Sequence, residues 1–271
     1  MVKKLYKQEM IYYMRSLLPV CVILMGIAVM GGIIHIFESD HWTYSIIANS
    51  SLAAYVVSII VSLVFVTIFI VIRYYKNMFT GEGYLTLTLP VTFEQHLTAK
   101  LLGAMTASIG TTIVIVISAL VFLGREWIIE IFKAIDYFID TSFLINEFGI
   151  HFGFYIVEFV ILAIAGLISE ILNYYMCISL GQMFRKRRIL GAIAIYYGLG
   201  LVVQVITTIA SIVITIVVEN MDLTAWDKWM EVHYKGAIHG CLIGGIVISL
   251  IISTIMFLVC RTVLKKRLNL E

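Results

Sequence analysis

Six apolar runs separated by polar stretches organise the chain, at residues 18–37, 46–72, 101–123, 152–184, 189–218 and 237–259. Crossing about 30 Å of hydrocarbon takes roughly 20 helical residues, and each run is long enough. The fourth and fifth exceed that length and predict tilted helices or helices that extend past the bilayer. Pro19 stands at the start of the first run and Pro90 in a polar loop, so neither proline interrupts a membrane helix. The pattern predicts an all-α integral membrane protein, a single transmembrane domain over residues 1–271.

Three further stretches carry helical patterning without spanning. Val2, Tyr6, Met10, Tyr13 and Leu17 recur at spacings of three and four residues, with Lys3, Lys4 and Lys7 off that stripe. This predicts an interfacial helix over residues 1–16, its apolar face in lipid and its lysines among head groups. The plainer alternative is a basic leader that only fixes topology. In the segment 124–151, Trp127, Ile128, Ile131, Ile135, Phe138 and Ile139 share a face away from Glu126, Glu130, Lys133, Asp136 and Asp140. In the segment 219–237, Trp226, Trp229, His233 and Tyr234 stand among acids. Either segment fits an aromatic belt at the interface or a cap over an exit route, the first being better suited to a cap and the second to a belt.

Composition agrees with the runs. Of the 271 residues 61% are hydrophobic and 13% charged, with mean hydropathy +1.02, where a soluble domain carries about a quarter charged. The charges are divided between the loops. Lys3, Lys4, Lys7, Arg15, Arg73, Lys76, Lys100, Arg185, Lys186, Arg187, Arg188, Arg261, Lys265, Lys266 and Arg267 gather on one side, 15 of the 19 Lys and Arg. The other side holds four cations, Arg125, Lys133, Lys228 and Lys235, against eleven acids. By the positive-inside rule both termini and the polar stretch 73–100 are expected in the cytoplasm. The first run lacks a small-residue cleavage site after it and is expected to be a retained span.

Several chemistries have no motif here. There is no Gly-x-x-x-x-Gly-Lys-Ser/Thr phosphate cradle, no His-Glu-x-x-His helix and no Gly-x-Ser-x-Gly elbow. His35, His41, His96, His151, His233 and His239 are scattered without metal spacing. Cys21, Cys177, Cys241 and Cys260 all fall in apolar runs and read as small buried hydrophobes. No enzyme is expected on this chain, and no metal or cofactor.

The long polar stretch on the basic side is ordered in a way that lipid does not require. Gly81 and Gly83 flank Glu82 and permit turns closed to other residues. Leu85, Leu87 and Leu89 alternate with Thr86 and Thr88, and Pro90 then bars a continuous helix. Thr92, with Glu94 and Gln95 behind it, can cap a helix carrying Leu97 and Lys100 into the third run. A plain connector would need only a few residues.

The run Gly81-Glu82-Gly83-Tyr84-Leu85-Thr86-Leu87-Thr88-Leu89-Pro90-Val91, followed by Leu97 and Lys100-Leu101-Leu102, resembles the first cytoplasmic loop of ABC-2-type transporter permeases. The likeness is to short bacterial members encoded beside a separate ATPase. It extends to the layout of the whole chain and to Asn173-Tyr174-Tyr175-Met176-Cys177-Ile178-Ser179-Leu180-Gly181-Gln182 before the basic cluster. The resemblance implies an ABC-2 (type V-like) exporter architecture in a bacterial plasma membrane. It implies a half-transporter that pairs with a second copy or a paralogue and binds an ATP-binding cassette ATPase, which carries the ATP and Mg. Arg73, Lys76, Phe79, Glu82, Tyr84, Leu87 and Pro90 would form the coupling surface, with Glu82 at the family's acidic position. The fuller Glu-Arg-Glu pattern of larger members is absent. Short permeases of this class resemble peptide exporters and peptide-immunity systems, so an amphipathic or antimicrobial-type peptide is the expected cargo, with lipid or drug export as the alternative. Membrane lipid is the other expected partner, and nucleic acid is not.

Within the spans, Glu158 and Glu170 share the fourth run, with Asn173 close behind and Gln204 in the fifth. Carboxylates inside a span face a cavity or a partner. Twelve residues apart, the two glutamates sit about 120° apart around the helix. Glu158, Glu170, Asn173 and Gln204 are candidates for a polar wall along a translocation pathway. The alternative is structural pairing with Gln204 or tyrosine hydroxyls. An ion-coupled secondary carrier using Glu158 and Glu170 is a reading of another class, and the missing inverted repeat counts against it. Ser58 and Ser62, Ala104 and Ser108, and Gly240 and Gly244 have the spacing of close helix contacts.

Overall fold

A computed structural model of the chain describes residues 2–37, 42–80, 91–140, 150–184, 187–219 and 223–268. Within these, side chains are described except at 125–127, 135, 137–140, 150, 223–231 and 266–268. Among the described residues every regular element is a helix: α1 (Val2–Ile36), α2 (Trp42–Phe79), α3 (Phe93–Asp140), α4 (Ile150–Gly181), α5 (Arg188–Glu219) and α6 (Leu223–Leu268). Six stretches of the described residues are long and apolar enough to cross a membrane: Val2–Ile36, Trp42–Phe79, Phe93–Gly124, His151–Gly181, Arg188–Glu219 and Val232–Lys265.

Local chemistry accounts for the helix ends and for the polar residues inside. The cap expected at Thr92 is present. The Gln95 backbone N–H donates to Thr92 Oγ1 at 3.4 Å, and the Thr92 N–H donates to Gln95 Oε1 at 3.3 Å, so two orphan donors at the start of α3 are satisfied reciprocally. In α2, the hydroxyls of Ser45, Ser51, Ser58, Ser62 and Thr67 all donate to carbonyls three or four residues back. A hydroxyl satisfied within its own helix can sit in an apolar span without a partner. Gly124 interrupts α3 with φ 76° and ψ −179°, a backbone conformation that favours glycine. The spanning part of α3 ends there, and helix resumes to Asp140.

Two expected boundaries are absent. Residues 2–16 and the first apolar run form one uninterrupted helix that passes through Pro19. On that helix Tyr13 and Leu17 are buried in protein, where the stripe they belong to was expected to lie in lipid. The reason is Glu9, which shares their face at i, i+4 and i+8 and is itself buried. The segment expected as a separate outer element before the sixth run is likewise continuous with it in α6.

The chain divides into two compact units, residues 1–144 and 145–271. In the first, α1 packs on both α2 and α3. Its apolar core joins Leu24, Ala28, Tyr55 and Phe122, with the Tyr55 and Phe122 rings stacked at 4.4 Å and the Tyr55 hydroxyl hydrogen-bonded to Ser118 Oγ at 2.9 Å. Gly31 lets Phe122 into this core: a methyl at 31 would collide with Phe122 Cε2. In the second unit α4 packs on α5 and α6. Gly181 and Ala192 bring the end of α4 against the start of α5, a side chain at 181 meeting the Ala192 backbone at 2.6 Å. Ser169 bridges to α6 through Ser253 Oγ at 2.7 Å and the Ser249 carbonyl at 3.1 Å.

The contrast between glycines gives a direct test of the first core. Gly31→Ala is expected to cost about 1–3 kcal/mol through overpacking against Phe122. Gly26→Ala, where an added methyl meets nothing within 4 Å, is expected to be neutral or to gain up to about 1 kcal/mol of helix propensity. Thermal unfolding of both purified proteins in one detergent separates them.

Candidate functional site

In the first unit one carboxylate gathers side chains from three helices. Glu9 of α1 accepts from Arg73 Nε of α2 at 2.8 Å and from Lys100 Nζ of α3 at 2.8 Å. Asn77 Nδ2 of α2 donates to Glu9 Oε1 at 3.3 Å. The Glu9 and Lys100 side chains retain only 8% and 4% exposure. A buried carboxylate is costly unless it is paired and hydrogen-bonded, and here both oxygens are occupied. The Arg73 guanidinium also lies 4.1 Å above the Tyr12 ring, so its second face is covered by α1. Gly103 admits the close approach: a side chain at that position would start 2.9 Å from Glu9 Cβ.

The cluster lies where α2 ends and α3 begins. Around it Tyr74, Met78, His96 and Leu97 are buried, and Tyr74 meets the Phe79 ring edge-on at 5.9 Å. These are the two stems of segment 81–90. Of the residues expected on the coupling surface, Arg73 belongs to the cluster, Lys76 is exposed and Phe79 is half-buried. Glu82, Tyr84, Leu87 and Pro90 lie outside the described residues. Beside the cluster, an apolar cleft of about 240 Å³ runs between α1 and α3, lined in part by Met10, Met14, Leu18, Cys21, Thr106 and Gly110.

In the second unit the four expected pathway residues do not converge. Glu170 is exposed and accepts the hydroxyl of Tyr174, one turn along its own helix, at 2.6 Å. Asn173 Oδ1 accepts the Cys177 thiol at 3.6 Å. Gln204 is exposed on α5, where the hydroxyls of Thr207 and Thr208 donate to its backbone carbonyl. Glu158 alone reaches another helix: both of its carboxylate oxygens lie within 2.9 Å of Nδ1 of His239 on α6. His239 Nε2 in turn lies 3.2 Å from Nδ1 of His151. The Tyr155 ring packs on His239 at 4.4 Å, and its hydroxyl donates to the Lys235 carbonyl at 2.9 Å.

Glu9, His151 and His239 are the site residues that sequence reasoning passed over. For Glu9 the signal was available, a lone acid on the Tyr13–Leu17 face of a lysine-rich helix. His151, Tyr155 and Glu158 recur at i, i+4 and i+7 on one face of α4, which also marks them as neighbours.

Fold and clusters together define a class: among the described residues, all regular structure is helical, with six helices long and apolar enough to cross a membrane. No protein family, curated protein or solved structure matches this chain.

The Glu9 cluster makes a stability prediction with an internal control. Glu9→Leu alone leaves Lys100 buried without its counter-charge and is expected to cost about 3–5 kcal/mol. Glu9→Leu combined with Lys100→Leu is expected to recover most of that loss. A thermal double-mutant cycle on the purified chain reads the difference.

Proposed function

We propose that this chain is the membrane-spanning permease subunit of an ATP-driven ABC exporter with ABC-2 (type V-like) architecture. It works as a dimer, with a second copy or a paralogue, and couples to separate ATPase subunits. The observation that carries the reading is the segment with the permease-like motif at residues 81–91, whose two stems are tied to α1 through Glu9. A push on that segment cannot be absorbed at one stem alone. Arg73 precedes it, Lys100 follows it, and both end on the same carboxylate. Three long helices therefore move as one body when the segment is displaced, which is what a coupling loop needs.

The charge asymmetry supports the same reading: in a bacterial plasma membrane the positive-inside rule favours a cytoplasmic position for this segment and both termini. ATP and Mg belong on the partner ATPase. The cargo is an amphipathic or antimicrobial-type peptide: an acidic outer side and an apolar cleft between α1 and α3 suit a cationic, partly apolar molecule. Lipids and drugs share the apolar part of that chemistry and are the competing cargo.

A second reading, an ion-coupled carrier, has one observation in its favour, the pairing of Glu158 with a titratable partner on another helix. It requires transport in liposomes under a pH gradient with no ATPase present.

Co-expression with the ATPase encoded nearest the gene tests the leading reading. Wild type is expected to co-purify with it and to raise its ATP hydrolysis. Glu82→Arg with Tyr84→Ala is expected to abolish both, while the chain still reaches the membrane. Complex formation unchanged by the double substitution rejects 81–91 as the coupling surface. Stimulation of ATP hydrolysis by lipids and by no member of a cationic peptide panel rejects the peptide cargo.

A further inference from the structure

We propose that His239 and His151 form a binding site for one proton, shared between their imidazoles and balanced by Glu158. The site rests on neither functional reading above. His151 and Glu158 lie two turns apart on one face of α4, and His239 comes from α6.

Hydrogen-bond bookkeeping at each nitrogen gives the capacity. An ionised carboxylate can only accept, so the His239 nitrogen facing both Glu158 oxygens, at 2.8 and 2.9 Å, carries a hydrogen. Neutral His239 then presents Nε2 as an acceptor, and the 3.2 Å contact is made by His151 donating from Nδ1. One added proton fits without moving an atom. His239 becomes the imidazolium and donates to His151, or His151 does so and donates to His239; the two states differ only in which nitrogen holds the shared hydrogen. A second added proton puts two N–H groups against each other across the same 3.2 Å and breaks the contact.

Charge selects the singly protonated state. Glu158 and His239 side chains retain 18% and 21% exposure, in helices long and apolar enough to cross a membrane. With no proton bound the cluster carries a net negative charge, with two a net positive one, and with one it is neutral. Removal from water penalises both charged states. The Tyr155 ring against His239 adds a π face suited to an imidazolium.

Other titratable groups near this end are few among the described residues. On α6 they are His233, Tyr234 and Lys235, whose ammonium lies 5.6 Å over the Tyr234 ring. On α4 the remaining one is Tyr155, its hydroxyl committed to the Lys235 carbonyl. A metal ion does not suit the same side chains, because Glu158 and His151 engage opposite nitrogens of His239 and the three do not converge.

The test is a titration of the full chain, labelled with nitrogen-15 in its histidine rings and held in lipid nanodiscs, from pH 8 to pH 5. His151→Gln and His239→Gln assign the two rings. His151 and His239 are expected to shift together at one midpoint and to gain one proton between them. Glu158→Gln is expected to displace that midpoint, and Glu158→Asp to restore it. Two independent midpoints totalling two protons overturn the proposal, and so does a midpoint unmoved in Glu158→Gln. The proton count in the wild type decides the matter even where a substitution fails to fold.

Discussion

A carboxylate cannot be left alone away from water, and in the first unit that constraint ties the helices together. Glu9 is buried near one end of α1, and cations from both α2 and α3 neutralise it, with the Asn77 amide as a third donor. Apolar packing farther along, around Leu24, Ala28, Tyr55 and Phe122, has no comparable directionality. Dispersion contacts tolerate a helix that slides by part of a turn. A carboxylate with donors on both oxygens does not, so register along the bundle is set at Glu9 and the rest of the core packs to it. A single buried polar group that fixes register is a recognised use of such residues.

The second unit solves the same problem with weaker means. Ser169 reaches Ser253 and the Ser249 carbonyl, and Tyr155 reaches the Lys235 carbonyl, so α4 and α6 are joined at two levels by neutral hydrogen bonds. Glu158 and His239 add a contact whose strength depends on protonation. The α5 helix is different again, with apolar side chains exposed around its whole circumference and only Gly191 buried. A helix that is apolar on every side is built for lipid or for another protein surface, not for water.

Much of the fold was legible in the chain because span length and apolar content are strong signals. Each of the six expected runs overlaps one long helix, and the Thr92 cap formed with Gln95 as its spacing implied. What was not legible depends on contacts between helices. The stripe Val2, Tyr6, Met10, Tyr13 and Leu17 looks like a lipid-facing edge when α1 is considered alone. It takes the cations of two other helices to turn Glu9 inward and carry Tyr13 and Leu17 with it. Scattered histidines are uninformative for the same reason: His151 and His239 are 88 positions apart and meet only because α4 and α6 pack. The two intramembrane glutamates looked alike in sequence, yet Glu170 is satisfied by a tyrosine on its own helix and Glu158 by a neighbour.

Gly124 is one residue, yet it sets a heading. With φ at 76° it joins two helical rods, the spanning part of α3 before it and the amphipathic stretch to Asp140 after it. Neither rod can bend easily, because each backbone hydrogen bond holds its neighbours in line. All of the angle between them is therefore concentrated in two torsions, and about ten degrees there swing the far end of the second rod, about 24 Å long, by about 4 Å. Any side chain at 124 would exclude the present φ and steer residues 125–140 elsewhere, much as a weathervane turns on one pin.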